Sequence, residues 1–218
     1  MKLFASYGVR DFVICLGYMG YKIKEYFANY HLHSADVTFE PDGSMTFHRV
    51  TAEPWRVTLI DTGEETMTGG RVRRIRPYLP EGRPFFLTYG DGVSDVDIEA
   101  LLAFHQAHGH KATVTAVRPL ARFGALDMDG DRVIAFKEKP IEEGGYINGG
   151  FLVLDPSVTE YVADDSTIWE QEPMERLARE NELRAFTHDG FWQPMDALRD
   201  KHLLMELWES GNAPWKRW

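Results

Sequence analysis

Phe85-Phe-Leu-Thr-Tyr-Gly-Asp-Gly92 decides how this chain is built, because an apolar run that stops at Gly-Asp-Gly reads as a buried strand delivering a carboxylate at its C-terminal end. Residues 97–108 follow with apolar side chains at helical spacing, Asp97 in capping position and Gly109 as the stop. Residues 111–118 then return as an extended apolar stretch. Strand, helix and strand in that order form the unit of an α/β sheet, where ligands bind beyond the carboxyl ends of the strands.

Working outward, Asp11-Phe-Val-Ile-Cys-Leu-Gly17 is a second apolar run closed by glycine, and residues 21–31 carry Ile23, Tyr26, Phe27 and Tyr30 on one helical face. Pro41-Asp-Gly-Ser44 between extended stretches at 37–40 and 45–50 reads as a hairpin turn. Residues 55–60 make another strand and 70–79 a helix. Toward the C-terminus, 124–128 and 132–138 flank Asp129-Gly-Asp131, 146–154 is a further strand, and 170–181 and 196–209 are helical, with 183–187 and 191–192 extended between them. The expected fold is α/β: a Rossmann-like mixed, mainly parallel sheet with helices on both faces.

The chain has 218 residues, 44% of them hydrophobic, enough for one large domain or for two small ones. Its formal net charge of -10 argues against a nucleic-acid partner, so an anionic substrate must meet locally placed cations. Cys15 is the single cysteine, which excludes an internal disulfide and a cysteine-rich zinc site and leaves a buried, inert thiol. The histidines are not at zinc spacing; His31, His33, His105, His108 and His110 read as solvated or dipole-complementing groups. No apolar run approaches the roughly 20 residues of a membrane span, and Met1-Lys-Leu-Phe-Ala5 has no signal-peptide core, so a soluble cytoplasmic protein is expected. A Gly-x-Ser-x-Gly nucleophile elbow is absent from the sequence.

Chemistry concentrates at strand ends. Asp91 sits between Gly90 and Gly92, either as a metal ligand or as a turn aspartate holding its own amides. Asp196, in Phe191-Trp-Gln-Pro-Met-Asp196, is either a second ligand or a plain helix N-cap. Two carboxylates from different strand ends suit Mg²⁺, which binds through one or two of them plus substrate phosphates. Asp61-Thr-Gly-Glu-Glu-Thr-Met-Thr-Gly-Gly-Arg71 offers amides, the hydroxyls of Thr66 or Thr68, and the forked Arg71 to a base or phosphate. Arg73, Arg74 and Arg76 read as a solvated face. Glu138, Lys139 and Asn148 form a polar set that suits a phosphorylated sugar, or else are exposed charges at a strand end.

Taken jointly, Met67-Thr-Gly-Gly-Arg71, Tyr89-Gly-Asp-Gly-Val93, Glu138-Lys-Pro140, Ile147-Asn-Gly-Gly150 and Phe191-Trp-Gln-Pro-Met-Asp196 resemble the glucose-1-phosphate cytidylyltransferase family of sugar nucleotidyltransferases. Glu25-Tyr-Phe-Ala-Asn-Tyr30, Trp169-Glu-Gln-Glu-Pro173 and Ala213-Pro-Trp-Lys216 extend the match over residues 1–218, a single nucleotidyltransferase domain. The resemblance implies transfer of CMP from CTP to glucose 1-phosphate, giving CDP-glucose for dideoxy sugars of surface polysaccharides (O-antigen). It implies catalytic Asp91, Asp196 and Lys139, with Mg²⁺ on Asp91 and Asp196. Thr66, Arg71 and Gly90 would contact nucleotide, and Gly124, Glu138, Lys139 and Asn148 would line the sugar-phosphate site. A homo-oligomer is also implied.

Family members begin with a strand, a Leu-Ala-Gly-Gly-x-Gly-Thr-Arg-Leu loop and a downstream Pro-Lys-Pro. The stretch in hand starts beyond them, with Met1 to Gly8 resembling the later part of the following helix. The expectation is therefore a sheet without its first strand and nucleotide loop, with activity conditional on that segment. A non-catalytic sugar-phosphate-binding or assembly paralogue is the alternative.

Overall fold

The computed structural model describes residues 1–118, 125–129, 132–137 and 145–218, and it divides the chain into two compact units. One comprises Leu3–Leu79 with Thr159–Pro173; the other comprises Pro80–Val158 with Met174–Trp218.

The first unit opens with α1 (Lys2–Ser6), which buries Leu3, Phe4 and Ala5. Strand β1 (Asp11–Leu16) follows, then α2 (Gly20–Ala28) and α3 (Tyr30–His33). The expected single helix is split because the Asn29 side chain donates to the Glu25 carbonyl at 2.9 Å, competing with the backbone for the same acceptor. A hairpin of β2 (Asp36–Phe39) and β3 (Met45–His48) turns through Gly43 at φ 83°, with Asp42 accepting from the Ser44 amide. Strand β4 (Arg56–Asp61) then pairs in parallel with β1, Leu16 opposite Asp61.

Helix α4 (Thr68–Arg74) is shorter than expected, and the chain tightens into a 3-10 turn at Arg76–Tyr78, where Pro77 has no amide to continue an α-helix. Its start is set by glycine. A Cβ on Gly69 would meet the Thr167 carbonyl at 2.7 Å, and one on Gly70 would meet Cα and O of Asp165 at 2.6 and 2.7 Å. The amides of Met67 and Gly69 accordingly donate to the carbonyls of Asp165 and Thr167. Trp169, only 1% exposed, anchors this segment.

The second unit holds β5 (Phe85–Leu87), β6 (Gly92–Ser94), α5 (Ile98–His108), β7 (Ala112–Val117), a β8 (Ala125–Asp129) and β9 (Arg132–Lys137) hairpin, and β10 (Ile147–Leu154). The chain passes between units along α6 (Glu172–Arg179) and ends with β11 (Leu183–His188), β12 (Trp192–Pro194) and α7 (Leu198–Glu209). The main sheet has the order β11-β7-β10-β5; β7 and β11 are parallel, and β10 runs antiparallel to both its neighbours. Mixed α/β architecture is thus what the strand–helix–strand reading anticipates. Asp97 accepts from the Ala100 amide and Gly109 closes α5 at φ 68°, as the pattern predicts.

Two histidines depart from the solvated reading. Strand β7 is buried on both faces, and the hydroxyl of fully buried Thr113 lies 2.9 Å from His105 Nδ1 and 2.7 Å from His108 Nε2. Both imidazoles are pushed below the ordinary histidine pKa, first by burial, then by neighbouring His108 for the one and His110 for the other.

Two outcomes follow. Because these imidazoles take up protons less readily folded than unfolded, stability is fully present above the ordinary histidine pKa and falls as pH drops through it; denaturant midpoints across that range will show the decline. Gly70→Ala, forced against Asp165 backbone, will lower unfolding stability by about 1–3 kcal/mol, whereas Gly90→Ala, with nothing within 4 Å of its added carbon, will leave it unchanged.

Candidate functional site

In the second unit, β6 and β12 pair antiparallel with Ser94 opposite Trp192 and Gly92 opposite Pro194. The ladder continues one bond further, the Met195 amide donating to the Asp91 carbonyl at 2.9 Å. Asp91 and Asp196 therefore leave adjacent strand ends, both exposed. Among the described residues, added carbons on Gly90 and Gly92 would meet nothing within 4 Å, so they leave the backbone on either side of Asp91 open to approach. Asp196 is not the N-cap of α7: Ala197 is, and its amide donates to Asp200 Oδ2 at 3.0 Å.

The Asn148-Gly-Gly stretch belongs to the same unit. Asn148 stands opposite Ala116 and Leu152 opposite Val114, so β10 bulges between them. The bulge needs its glycines, since Gly150 has φ 78° and lies against the Tyr89 ring, while a Cβ on Gly149 would meet Val117 at 2.8 Å. Trp192 Nε1 donates to the Gly149 carbonyl at 2.7 Å, tying the bulge to β12. Tyr89-Gly-Asp, Asn148-Gly-Gly and Trp192 to Asp196 are thus joined. Asn148 Oδ1 accepts from the Gly150 amide at 2.9 Å.

In the first unit, Arg71 reaches the ends of β1 and β4. Its Nη1 donates to the Leu16 carbonyl at 3.1 Å and to Thr62 Oγ1 at 2.6 Å, and its Nη2 to the Glu64 carbonyl at 3.2 Å. Thr62, 0% exposed, itself donates to the same Leu16 carbonyl. Gly17 leaves space for the fork, because a Cβ there would lie 2.7 Å from Nη2. Burial raises the Cys15 thiol pKa, against a smaller opposing pull from Arg71.

The loop before α4 does not present its groups as the sequence reading anticipates. The amides of Met67, Gly69 and Gly70 are taken by carbonyls of Asp165 and Thr167. Thr68 donates to Glu170 and accepts from the Trp169 amide, and Thr66 is buried. Arg73 and Arg74 are not a free solvated face either: both converge on Asp165, whose carboxyl is held below the usual range chiefly by the Arg74 hydrogen bond.

Gly124, Glu138 and Lys139 lie outside the described residues. Among the described residues no group of three or more acidic, histidine or cysteine side chains gathers for a metal ion, and no helix is long and apolar enough to cross a membrane. Two carboxylates on neighbouring strand ends remain, a hard-oxygen pair of the kind Mg²⁺ shares with phosphates.

The nucleotidyl transferase family profile matches residues 19–193. Over 219 aligned residues the chain is 56% identical to a glucose-1-phosphate cytidylyltransferase of Salmonella typhi, covering 100% of this chain and 85% of that one. The Salmonella typhimurium enzyme of the same name matches equally. The chain belongs to the glucose-1-phosphate cytidylyltransferase family of nucleotidyl transferases. Solved structures agree on the fold: HddC from Yersinia pseudotuberculosis superposes with a TM-score of 0.65 at 20% identity, over 95% of this chain and 83% of that one. An apo UDP-glucose pyrophosphorylase gives 0.63 at 12% identity, over 96% and 85%.

For this nucleotidyl transferase, the sequence reading passed over Tyr89 and Trp192 as supports of the bulge and β6 as a strand. An indole needing an acceptor, next to a glycine pair needing a reason, is the signal that joins them. Arg71→Lys keeps the charge but loses the fork, and denaturation will show a loss of about 1–3 kcal/mol. Combined with Gly17→Ala, which displaces the same guanidinium, the losses will not add.

Proposed function

We propose that this nucleotidyl transferase transfers CMP from CTP to α-D-glucose 1-phosphate, releasing pyrophosphate and forming CDP-glucose. The observation that carries the reading is the hydrogen bond from the Met195 amide to the Asp91 carbonyl, which sets two carboxylates on adjoining strand ends in a chain of this family. Asp91 and Asp196 would hold Mg²⁺, whose chemistry there is to neutralise phosphate charge as it shifts toward the leaving pyrophosphate.

The sugar phosphate is already an anionic nucleophile, so the protein's task is alignment with the α-phosphorus and cancellation of charge rather than proton removal. Gly90, with open space at its α-carbon, lets nucleotide approach the backbone. The nucleotide roles of Thr66 and Arg71 rest on the sequence motif alone, since Thr66 is buried and Arg71 holds the Leu16 and Glu64 carbonyls and Thr62 Oγ1. Asn148, its Oδ1 committed to Gly150, presents its amide nitrogen as donor to a sugar hydroxyl. Lys139 meets the sugar phosphate, with Glu138 and Gly124 beside the hexose; these three roles rest on the sequence motif.

Residues 1–218 act as one nucleotidyltransferase domain, a reading supported by a family match that runs through both units. Exposed Phe39, Met45 and Phe47 on the hairpin support a homo-oligomer. Its place is the cytoplasm, where CTP is available, and its product would serve dideoxy sugars of surface polysaccharide.

Calorimetric titration with CTP and Mg²⁺, then with glucose 1-phosphate, followed by a pyrophosphate-release assay, tests this. CTP should be used far better than UTP or dTTP, and Asp91→Asn or Asp196→Asn should lower kcat about 100-fold or more. Equal use of the three nucleotides would overturn the base assignment. Glucose 1-phosphate binding without CTP binding would make the chain a sugar-phosphate-binding protein instead.

A further inference from the structure

The ladder that carries Asp91 and Asp196 at one end is clamped at the other. There the Asp95 amide donates to the Phe191 carbonyl at 3.1 Å, and Ser94 Oγ donates to the same carbonyl at 2.8 Å while accepting from the Val96 amide. His188 Nε2 stands 3.2 Å from Ser94 Oγ and 3.3 Å from the Phe191 carbonyl. Asp95 Oδ1 is sealed from solvent, 3.0 Å from the same nitrogen but without the alignment of a hydrogen bond.

Serine, histidine and aspartate here do not make a hydrolytic triad. A triad needs hydroxyl and carboxylate on opposite ring nitrogens, whereas both face Nε2, and the Ser94 hydrogen is already given to Phe191. With acceptors around it, Nε2 carries a proton and points it into the group. Gly190 is part of the fit: a Cβ there would lie 2.5 Å from Asp95 Oδ1 and 2.6 Å from His188 Cε1.

The ladder so held is short, with β6 and β12 pairing through three residues each. A pairing this short has little of its own to fix register, and a slip of one residue would shift one strand end by about 3.4 Å and turn its side chains to the other face. We infer that His188, with Ser94, Asp95 and the space left by Gly190, is a positioning cluster: by pinning the Phe191 carbonyl it fixes the register of β12 on β6 and so sets Asp196 against Asp91. The effect on metal and turnover rests on the proposed function; the effect on register does not.

The test compares His188→Ala and Gly190→Ala with His188→Gln, whose amide nitrogen still donates where Nε2 does. Hydrogen exchange of the Asp95 and Met195 amides reads the register, and electron paramagnetic resonance titration with Mn²⁺ in the presence of CTP reads the carboxylate pair. In His188→Ala and Gly190→Ala both amides will exchange about tenfold faster or more. Apparent Mn²⁺ affinity will fall about 10- to 100-fold, the KM for glucose 1-phosphate will stay constant, and His188→Gln will resemble the parent. A cluster that only stabilises the fold would lower the melting temperature in both variants with Met195 exchange and Mn²⁺ affinity unchanged, and that result overturns the inference. Faster Met195 exchange with unchanged Mn²⁺ affinity also overturns it. Should the parent bind no Mn²⁺ with CTP, the proposed function fails, and Met195 exchange alone decides the register.

Discussion

The candidate site depends on the pairing of β6 with β12. Neither strand has much to recommend it alone: each is three residues long, and one ends in proline, which donates no amide. What they share is a run of backbone bonds from Asp95 with Phe191 to Met195 with Asp91, and that run turns two aspartates remote in sequence into neighbours. Side chains tie it to its surroundings. Trp192 reaches from β12 to the bulge at Gly149, and Phe191 stacks near Trp215, 5.3 Å between ring centres, in the apolar cluster with Leu204 and Ala213. These contacts hold a short ladder in place.

A different device organises the first unit. There the Leu16 carbonyl and the buried Thr62 hydroxyl, already bonded to each other at the ends of β1 and β4, both also take a donor from the fork of Arg71. A cation that looks available for phosphate when read in sequence is therefore also a structural group. The proposed phosphate role stays compatible with the structural one, since a guanidinium has five N–H donors in a fixed plane and only part of that set is committed.

The regular elements were legible because their signals are local. Helical spacing, an aspartate cap and a terminal glycine define α5 completely, and the Asp-Gly turn defines the β2–β3 hairpin. The carboxylates at 91 and 196 were legible as candidates because each closes an apolar run. What was illegible depends on partners far along the chain. The Met67 to Gly70 amides read as an anion site only until the carbonyls of Asp165 and Thr167, about a hundred positions away, are placed on them. Thr113, in a buried strand, gives no hint in sequence that two imidazoles from the preceding helix satisfy it. Strand β6 was missed because three residues carry too little pattern.

Glycine shows why spacing alone could not have sorted structure from function. The pairs at 69–70, 90–92 and 149–150 look alike in sequence, each small and each beside a polar residue. The first is filled by backbone from another segment, and the last is filled by Tyr89, Val117 and a positive φ, so both are explained without a ligand. Of these pairs only Gly90 and Gly92 face open space among the described residues at ordinary φ, and packing there gives no reason for them. A residue without a side chain, kept where nothing crowds it and next to an exposed carboxylate, leaves room for a molecule that the polypeptide itself does not supply.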